Sequence, residues 1–263
     1  MLRPRIIPCL LVRGRGLVKT VMFANPKYVG DPINAVRIFN EKEVDELIVL
    51  DIDATKERRE PDYAMIGDLA AECRMPLCYG GGVKSVEQAR RIIGSGVEKI
   101  AISSAAVLTP SLVTNLAERI GTQSVVVVLD VKKNPGSGEH EVWLQSGLES
   151  SHKRATDVAV ELERRGVGEI VINSIEHDGV MTGYDIALAM EMRSAVSVPL
   201  TIIGGAGSIE HIRTLIHHLG VVGAAAGSLF VFKGKHKAVL INYPTRVERD
   251  APARLAKPVP SVD

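Results

Sequence analysis

Asp130 is the residue of this sequence whose type and position point most directly to acid–base chemistry. It ends the apolar run SVVVVLD, which has the composition of a buried strand. A carboxyl group at the end of such a strand lies beside an apolar core, where its pKa rises into the range of a useful general acid or base. Asp178, in NSIEHDGVMTGYD, is a second candidate for proton transfer, although Asp followed by Gly is equally typical of an ordinary turn.

Paired glycines and serines indicate a second kind of chemistry, the binding of anions. Glycines let backbone N–H groups approach a phosphate closely, and a hydroxyl at the start of a short helix can complete the site. A single glycine pair would more simply end a strand, but two matched sets favour a ligand with a phosphate at each end. Lys19, in a long loop expected after the first strand, could contact phosphate from a mobile lid, although a lone loop lysine is more often merely solvated. The two sets are Gly81, Gly82, Ser103 and Ser104, and Gly204, Gly205, Gly227 and Ser228.

Eight short apolar runs alternate with helical patterns and would position these residues. Such runs indicate a parallel sheet covered by helices, and eight units predict a closed (β/α)8 TIM barrel. An open doubly wound sheet fits less well, because VRGRGLV lacks the third glycine of a dinucleotide-binding turn, and no cofactor is predicted. The runs are IIPCLLV, ELIVLDI, PLCYGG, KIAISS, SVVVVLDV, EIVINSI, PLTIIGG and GAAAGS.

The C-terminal part of the chain does not continue this pattern clearly. We see no clear amphipathic eighth helix after FVFKGKHKAVLINYPTRVER, and KAVLINY could be an extended segment that replaces it. We therefore predict one barrel domain over residues 1–249 with an atypical eighth helix. The proline-containing residues 250–263 are expected to form a disordered tail.

An internal repeat divides the predicted barrel into two similar halves. PLCYGGGVKSVEQAR from Pro76 matches PLTIIGGAGSIEHIR from Pro199, an offset of 123 residues. Strand ends of one half should face their counterparts across the mouth, where the chemistry of such barrels takes place. Aligning the first strands of the halves, at an offset of 119, places Leu11 against Asp130. An enzyme with a paired acid and base would carry a carboxylate at both positions, and this chain has one.

Composition limits the classes of function. The chain has 263 residues, 46% hydrophobic and 24% charged, which is typical of a globular protein with a sizeable core. Its formal net charge of +1 gives no field that would draw it to nucleic acid or an anionic membrane. No apolar stretch is long enough to span a membrane, and no signal-peptide cleavage site is visible. Cys9, Cys73 and Cys78 lack metal-site spacing, and reduced thiols favour a cytoplasmic location.

Over about residues 1–232 the sequence resembles the cyclase subunit of imidazole glycerol phosphate synthase. RIIPCL, GDP, LDI, GGG, SSAAV, VVVVLD, TGYD and GGAG occur in the order of that family. The resemblance implies a (β/α)8 barrel that accepts ammonia from a separate glutaminase subunit docked at the N-terminal face of the strands. At its mouth, such a barrel converts a bis-phosphorylated ribulosyl intermediate to imidazole glycerol phosphate and AICAR.

The resemblance also implies roles at the mouth, where this chain departs from the family. Two family aspartates carry the acid–base steps; one matches Asp130, and Leu11 occupies the position of the other. Leucine cannot transfer a proton, so a mechanism that needs both carboxylates would lose about 10²–10⁴-fold in rate. Further departures are Ser103 and Ser104 in place of the usual Asn-Thr, and Val180 and Met181 in place of the usual Thr-Lys.

At the opposite face, the resemblance implies a gate for ammonia. The family closes its ammonia passage with a ring of four charged residues, and all four positions match here. From the residues alone, two cations and two carboxylates at strand starts also fit a structural ring of salt bridges, because buried charges must be paired. The four residues are Arg5, Glu46, Lys99 and Glu169.

Two hypotheses about function follow. In the preferred one, the chain retains glutaminase binding and ammonia passage, has reduced cyclase chemistry, and supplies ammonia to a sugar amidotransferase of bacterial surface polysaccharide synthesis, since paralogues that resemble it accompany such enzymes. In the second, it is an active cyclase of histidine biosynthesis in which Asp51 or Asp53 supplies the carboxylate missing at Leu11. Leu11 counts equally against a related sugar-phosphate isomerase on the same half-barrel plan.

Overall fold

The computed structural model describes residues 3–253, in which strands alternate with helices. In chain order the strands are β1 (Arg5–Arg13), β2 (Gly16–Val21), β3 (Ala24–Gly30), β4 (Leu47–Asp51), β5 (Leu77–Gly80), β6 (Lys99–Ile102), β7 (Val125–Lys133), β8 (His140–Leu144), β9 (Glu149–Arg154), β10 (Glu169–Ser174), β11 (Leu200–Ile203), β12 (Gly223–Ala226), β13 (Phe232–Lys233) and β14 (Ala238–Val239). The α-helices are α1 (Pro32–Glu41), α2 (Tyr63–Glu72), α3 (Val86–Ile93), α4 (Ser104–Leu108), α5 (Ser111–Ile120), α6 (Ala155–Arg164), α7 (Ile186–Ala195), α8 (Ile209–Leu219), α9 (Ser228–Val231) and α10 (Arg246–Ala253). None of the helices within this range is long and apolar enough to cross a membrane.

Eight of these strands form a closed parallel barrel, which confirms the predicted (β/α)8 TIM fold. The order around the barrel is β1, β4, β5, β6, β7, β10, β11 and β12, after which β12 pairs with β1. Each predicted apolar run coincides with one of these strands, and every crossover between successive barrel strands carries at least one helix. The carboxyl ends of all eight strands therefore meet at one mouth.

Side-chain caps begin several of the helices. In each case an Asp or Ser side chain accepts a hydrogen bond from a backbone N–H three residues later, which would otherwise be unpaired. The cap of α3 is a full capping box with Gln88. The caps that start α1, α2, α3, α7 and α8 are Asp31, Asp62, Ser85, Asp185 and Ser208.

Side chains of the barrel strands alternate between the helix layer and the barrel interior, because successive residues of a strand point to opposite faces. On β1, Ile6 and Leu10 lie in the larger core between sheet and helices. Ile7 and Cys9 belong to a smaller cluster inside the barrel, and Leu11 packs against it. The inward rows thus run from one end of the barrel to the mouth, and their first and last residues decide the chemistry of each end.

Two antiparallel hairpins extend the barrel strands beyond the mouth. β1 continues into β2 and β3, and β7 continues into β8 and β9. The first hairpin replaces the long loop that we predicted after the first strand. Its two-residue turn is Met22–Phe23, both with positive φ of 48° and 61°. Asn-Gly is the usual pair in such a turn, so the sequence gives no conventional turn signal there.

The C-terminal segment differs in part from the prediction. β13 and β14 form a short hairpin, which includes the start of the predicted extended segment KAVLINY. Helix α10 follows, where we saw no amphipathic helix, and the largely buried Arg249 guanidinium contacts Asp45 at 3.2 Å. α10 also crosses the predicted boundary at residue 250. The remainder of the predicted tail, from residue 254, lies outside the described residues.

Candidate active site at the barrel mouth

A cavity of about 320 Å³ opens at the mouth, and all eight barrel strands contribute to its lining. The acid–base candidates and the anion-binding candidates named from the sequence all line it, whereas Asp53, Val180 and Met181 do not. The acid–base candidates are Asp130 and Asp178, with Leu11 at the position of the absent carboxylate. The anion-binding candidates are Lys19, Gly81, Gly82, Ser103, Ser104, Gly204, Gly205, Gly227 and Ser228.

Asp130 lies on β7 at the point where this strand leaves the barrel and continues into the second hairpin, and it is almost completely buried. Burial raises the pKa of its carboxyl group to about 7, and a hydrogen bond from Asn173 opposes that rise. The amide Nδ2 of Asn173 donates to Oδ1 of Asp130 at 3.0 Å. A carboxyl group with this pKa can hold or release a proton near neutral pH, as a general acid or base requires.

Leu11 faces Asp130 across the barrel, since β1 and β7 are four strands apart in a ring of eight. Its Cα pairs in register with that of Leu50 on β4, and both side chains pack against the apolar cluster of the barrel interior. Leu11 thus extends the apolar interior into the mouth, on the wall where a second carboxylate would stand.

Two other carboxylates lie at the end of β4: Asp51 is its last residue, and Asp53 follows it by two residues. The Oδ1 atom of Asp51 accepts a hydrogen bond from the Arg59 guanidinium at 2.8 Å, whereas its Oδ2 atom is buried without a partner among the described residues. Asp51 also lines the cavity. Asp53 does not line it and forms a salt bridge with Arg13 at 2.7 Å. Of the two replacements that we predicted for the missing carboxylate, the structure places only Asp51 at the mouth.

Asp178 fixes the first hairpin over the mouth. Its Oδ2 atom accepts hydrogen bonds from the Thr20 hydroxyl at 2.7 Å and the Phe23 backbone N–H at 3.2 Å. Burial raises the pKa of this carboxyl group, and the two hydrogen bonds reduce the rise. The side chain therefore has a structural role, which its sequence context of an Asp-Gly turn did not show.

Lys19 does not lie in the long loop where we expected it. It lies on β2 and is buried, with its Nζ donating to the Cys9 carbonyl at 2.7 Å. Burial lowers the pKa of this ammonium group. A β-carbon at Gly227 would collide with Nζ, so glycine is required there for the ammonium to fit beside the start of α9. The amino group of Lys19 thus lies at the second predicted phosphate site.

The glycines after β5 and β11 have packing reasons of their own. Gly81 adopts φ of 124°, and a β-carbon there would lie 2.6 Å from the Asp51 carbonyl. A β-carbon at Gly205 would collide with the Gly183 carbonyl. The backbone N–H of Gly183 in turn donates to the Gly205 carbonyl at 2.8 Å. Close backbone packing would demand these glycines even in the absence of an anion, so their presence alone does not establish phosphate binding.

The predicted serines occupy opposite walls of the mouth. Ser103 and Ser104 lie at the start of α4 after β6, and Ser228 starts α9 after β12, four strands away. The Ser104 hydroxyl oxygen accepts a hydrogen bond from the Gln145 backbone N–H at 2.9 Å, which ties the second hairpin to α4. The hydroxyl hydrogen of Ser104 remains available to a ligand.

The other end of the barrel is closed by a ring of ion pairs. Arg5 hydrogen-bonds to Glu46 and, at 2.7 Å, to Glu169. Lys99 Nζ lies 2.7 Å from Glu46 and 2.9 Å from Glu169, so the four predicted gate residues form one closed cycle. The Thr201 hydroxyl also donates to Glu169 at 2.6 Å. Burial alone would lower the pKa of Lys99, yet the two carboxylates hold it above its usual range.

Sequence reasoning missed several residues of the mouth. Asn173 could have been found, because it lies on the same inward row as Glu169, four residues along a strand. Three exposed cations, Lys56, Arg58 and Lys84, line the mouth from loops, where no periodicity marks them. Within residues 3–253, no group of three or more His, Cys, Asp or Glu side chains could hold a metal ion.

The sequence of this barrel is similar to known proteins along most of its length. A family model described as "Histidine biosynthesis protein" matches residues 5–237. A protein of Leptospira borgpetersenii, provisionally named imidazole glycerol phosphate synthase subunit HisF, is 53% identical over 251 residues, which cover 95% of this chain and 99% of that protein. A Pseudomonas aeruginosa protein, provisionally named subunit hisF2 of the same synthase, is 53% identical over 244 residues, or 93% and 97% of the two chains. The imidazole glycerol phosphate synthase subunit HisF of Lactococcus lactis subsp. cremoris is 38% identical over 230 residues, or 88% and 89%.

Proposed function

Since the chain belongs to the histidine biosynthesis protein family, we propose that it is a HisF-like barrel subunit that receives ammonia from a HisH-like glutaminase. Its own cyclase chemistry is reduced, and the ammonia serves a sugar amidotransferase of bacterial surface polysaccharide synthesis. The observation that carries this proposal is the contrast between Leu11, which faces Asp130 in the mouth, and the complete charged ring at the other end.

The barrel interior supports the passage of ammonia. Between the charged ring and the mouth lie apolar side chains, several of them small, including Cys9, Ala101 and Ala225. Neutral ammonia can enter such surroundings, whereas an ammonium ion would lose its hydration without gaining a partner. The ring therefore suits a gate: a glutaminase that displaces one ion pair would open a path for the neutral molecule alone.

The mouth supports reduced cyclase chemistry. Asp130 keeps the burial and the raised pKa of an acid–base residue. The facing wall presents Leu11 and Leu50, and neither side chain can donate or accept the proton expected from that side. One general acid or base contributes about 10²–10⁴-fold to a rate, and its absence would reduce turnover by a comparable factor.

The pattern of relatives supports a distinct branch of the family. Identity is 53–54% to proteins of which two carry the numbered names hisF2 and hisF3, as additional copies of a gene commonly do. It falls to 37–38% for proteins named as the HisF subunit without a number or reservation. This division agrees with a barrel that has kept the family architecture while its reaction has changed.

Turnover with ammonium salt tests the proposal directly. Purified protein would be given the bis-phosphorylated ribulosyl substrate and saturating ammonium, which bypasses the glutaminase, and compared with Leu11→Asp. We expect little turnover by the parent and a gain of about 10²-fold or more in the variant. Robust parent turnover would contradict the proposal and identify the chain as a working cyclase.

An active cyclase of histidine biosynthesis is the second candidate, and one observation favours it. The buried Oδ2 atom of Asp51 has no partner among the described residues and belongs to a cavity-lining side chain. A substrate proton could satisfy it. If Asp51 supplies the missing carboxylate, the parent would turn over and Asp51→Asn would abolish that activity, whereas Asp53→Asn, outside the cavity, would retain most of it.

A further inference from the structure

A groove beside the mouth carries three cations that the acid–base site does not use. Its volume is about 460 Å³, and it is bounded by the loops after β4 and β5, by α4, by the start of α5 and by the turn of the second hairpin. Six of its lining residues also line the mouth cavity, so the two spaces are continuous. The cations are Lys56, Arg58 and Lys84, and no carboxylate lines the groove.

These cations are exposed, and within the described residues none of them forms an ion pair. The adjacent Arg59 differs, because Asp51 and Glu57 bind its guanidinium at 2.8 and 2.6 Å. Glu57, an acidic residue of the same loop, is thus engaged by Arg59 and lines neither space.

One further carboxylate, Glu60, acts on Lys84 from a distance. It accepts its hydrogen bonds from Gln88 and Tyr63, and Lys84 makes a smaller contribution to the lowering of its pKa. The positive charges in the groove are therefore left for a ligand from outside the chain.

Polar groups on the facing side of the groove complete its chemistry. They are hydroxyl and amide side chains, which donate well to phosphate oxygens. The exposed side chain of Leu108 adds an apolar contact beside them. The polar residues of that side are Thr109, Ser111, Asn115 and Gln145, and Thr55 lies beside the cations in the loop after β4.

The two halves of the barrel differ in the charge that these loops carry. The offset of 123 residues that relates the halves places Gly179 at the position of Lys56, Met181 at that of Arg58, and Gly207 at that of Lys84. No charge stands at these positions of the second half. The first half therefore offers far more positive charge than one phosphate of a symmetrical ligand requires.

We propose that this groove is an additional anion subsite, and that the mouth ligand carries more than one phosphate group on this side, as a diphosphate does. The inference rests on the proposed phosphate-binding mouth. One phosphate group lies at Gly81, Gly82 and Ser104, and the next reaches Arg58 and the neighbouring cations. Arginine suits this task because its planar guanidinium can donate two parallel hydrogen bonds to phosphate oxygens.

Calorimetric titration of the full chain with inorganic pyrophosphate and with inorganic phosphate tests the proposal. The parent should bind pyrophosphate at least about tenfold more tightly, since each charge-assisted hydrogen bond adds affinity of this order. Arg58→Gln should lower pyrophosphate affinity about tenfold and phosphate affinity by less than about twofold. Lys84→Gln, in the neighbouring loop, should act in the same direction.

Arg164→Gln is the matched control, because Arg164 is an exposed arginine of α6 in the other half. It should leave both affinities unchanged, and thermal unfolding would verify that all variants fold. Equal parent affinity for the two anions, or equal effects of Arg58→Gln and Arg164→Gln, would overturn the groove proposal while phosphate binding at the mouth stands. Binding of neither anion would overturn both. No glutaminase or ammonia takes part, so failure of the ammonia proposal would leave this result unaffected.

Discussion

The two ends of the barrel handle charge in opposite ways. At the ring end, Arg5, Glu46, Lys99 and Glu169 neutralise one another in a closed cycle. At the mouth, Asp130 has no carboxylate opposite it, and nearby cations such as Arg58 have no ion partner within the described residues. Ring residues depend on one another, because removing one takes away one of the two ion partners of each neighbour in a buried site. Mouth residues can be exchanged singly, so the mouth is where a new ligand or a lost reaction can be accommodated.

The largest predicted effect concerns the mouth and is a loss of turnover, measured in the Leu11→Asp variant whose cyclase activity is restored. Adding Asp130→Asn to that variant should remove the gained turnover, by about 10²–10⁴-fold, because the asparagine side chain cannot exchange a proton. Ammonium-dependent product formation measures it. Retention of the gain in the double variant would show that Asp130 is not the second acid–base group.

The next effect should appear at the ring. Glu169→Gln leaves Arg5 and Lys99 with one carboxylate instead of two, and should lower the free energy of unfolding by about 3 kcal/mol. Glu161→Gln is the matched control, since it breaks an exposed pair with Arg165 and should cost less than about 0.5 kcal/mol. Urea unfolding measures both. Equal small costs would mean that the ring residues do not depend on one another.

A third prediction separates a gate from a purely structural ring. Lys99→Met keeps the length of the side chain and removes its charge, so we expect the fold to survive. With the glutaminase present, glutamine-driven ammonia transfer should fall about tenfold, whereas ammonium-driven turnover in the Leu11→Asp background should change less than about twofold. The ratio of the two rates is the measurement. A loss that only follows the loss of folded protein would favour the structural ring.

The burial of Asp130 should be visible in the pH dependence of stability. Its folded pKa of about 7 exceeds the ordinary value of 3.8, so the folded state binds the extra proton between these values. Stability from this group is therefore present at low pH and is lost as the pH rises toward 7, by up to about 1.4 kcal/mol per pH unit. Asp130→Asn should flatten that part of the profile, measured by urea unfolding from pH 4.5 to 7.5. Parallel profiles of parent and variant would contradict the raised pKa.

The smallest predicted effect is on stability, and it tests whether the mouth cations, unlike the ring residues, contribute little to the free energy of unfolding. Lys56→Gln removes an exposed cation without an ion partner in the described part of the chain, so the free energy of unfolding should change by less than about 0.5 kcal/mol. A loss close to that of Glu169→Gln would mean that the mouth cations are structural after all.

The barrel could be predicted from sequence because it follows from strand periodicity, whereas the four ring residues were identified through the resemblance to the cyclase family. Apolar runs mark the strands, and the alternation of side chains then places residues such as Glu169 and Asn173 on one inward row. The predicted position of Lys19 in a long loop was wrong because the first hairpin turns at Met22 and Phe23, which lack the usual sequence signal for such a turn. The cations of the groove lie in irregular loops, where only the folded structure brings them together.

The alternation along the strands also restricts how this protein can change. Arg5 of the ring and Leu11 of the mouth are six residues apart on β1, an even number, so both side chains point inward. Insertion of one residue between them would turn one of the two outward into the helix layer. Insertions of a single residue are thus better tolerated in loops and hairpins than between the two ends of β1, where substitution leaves the alternation intact.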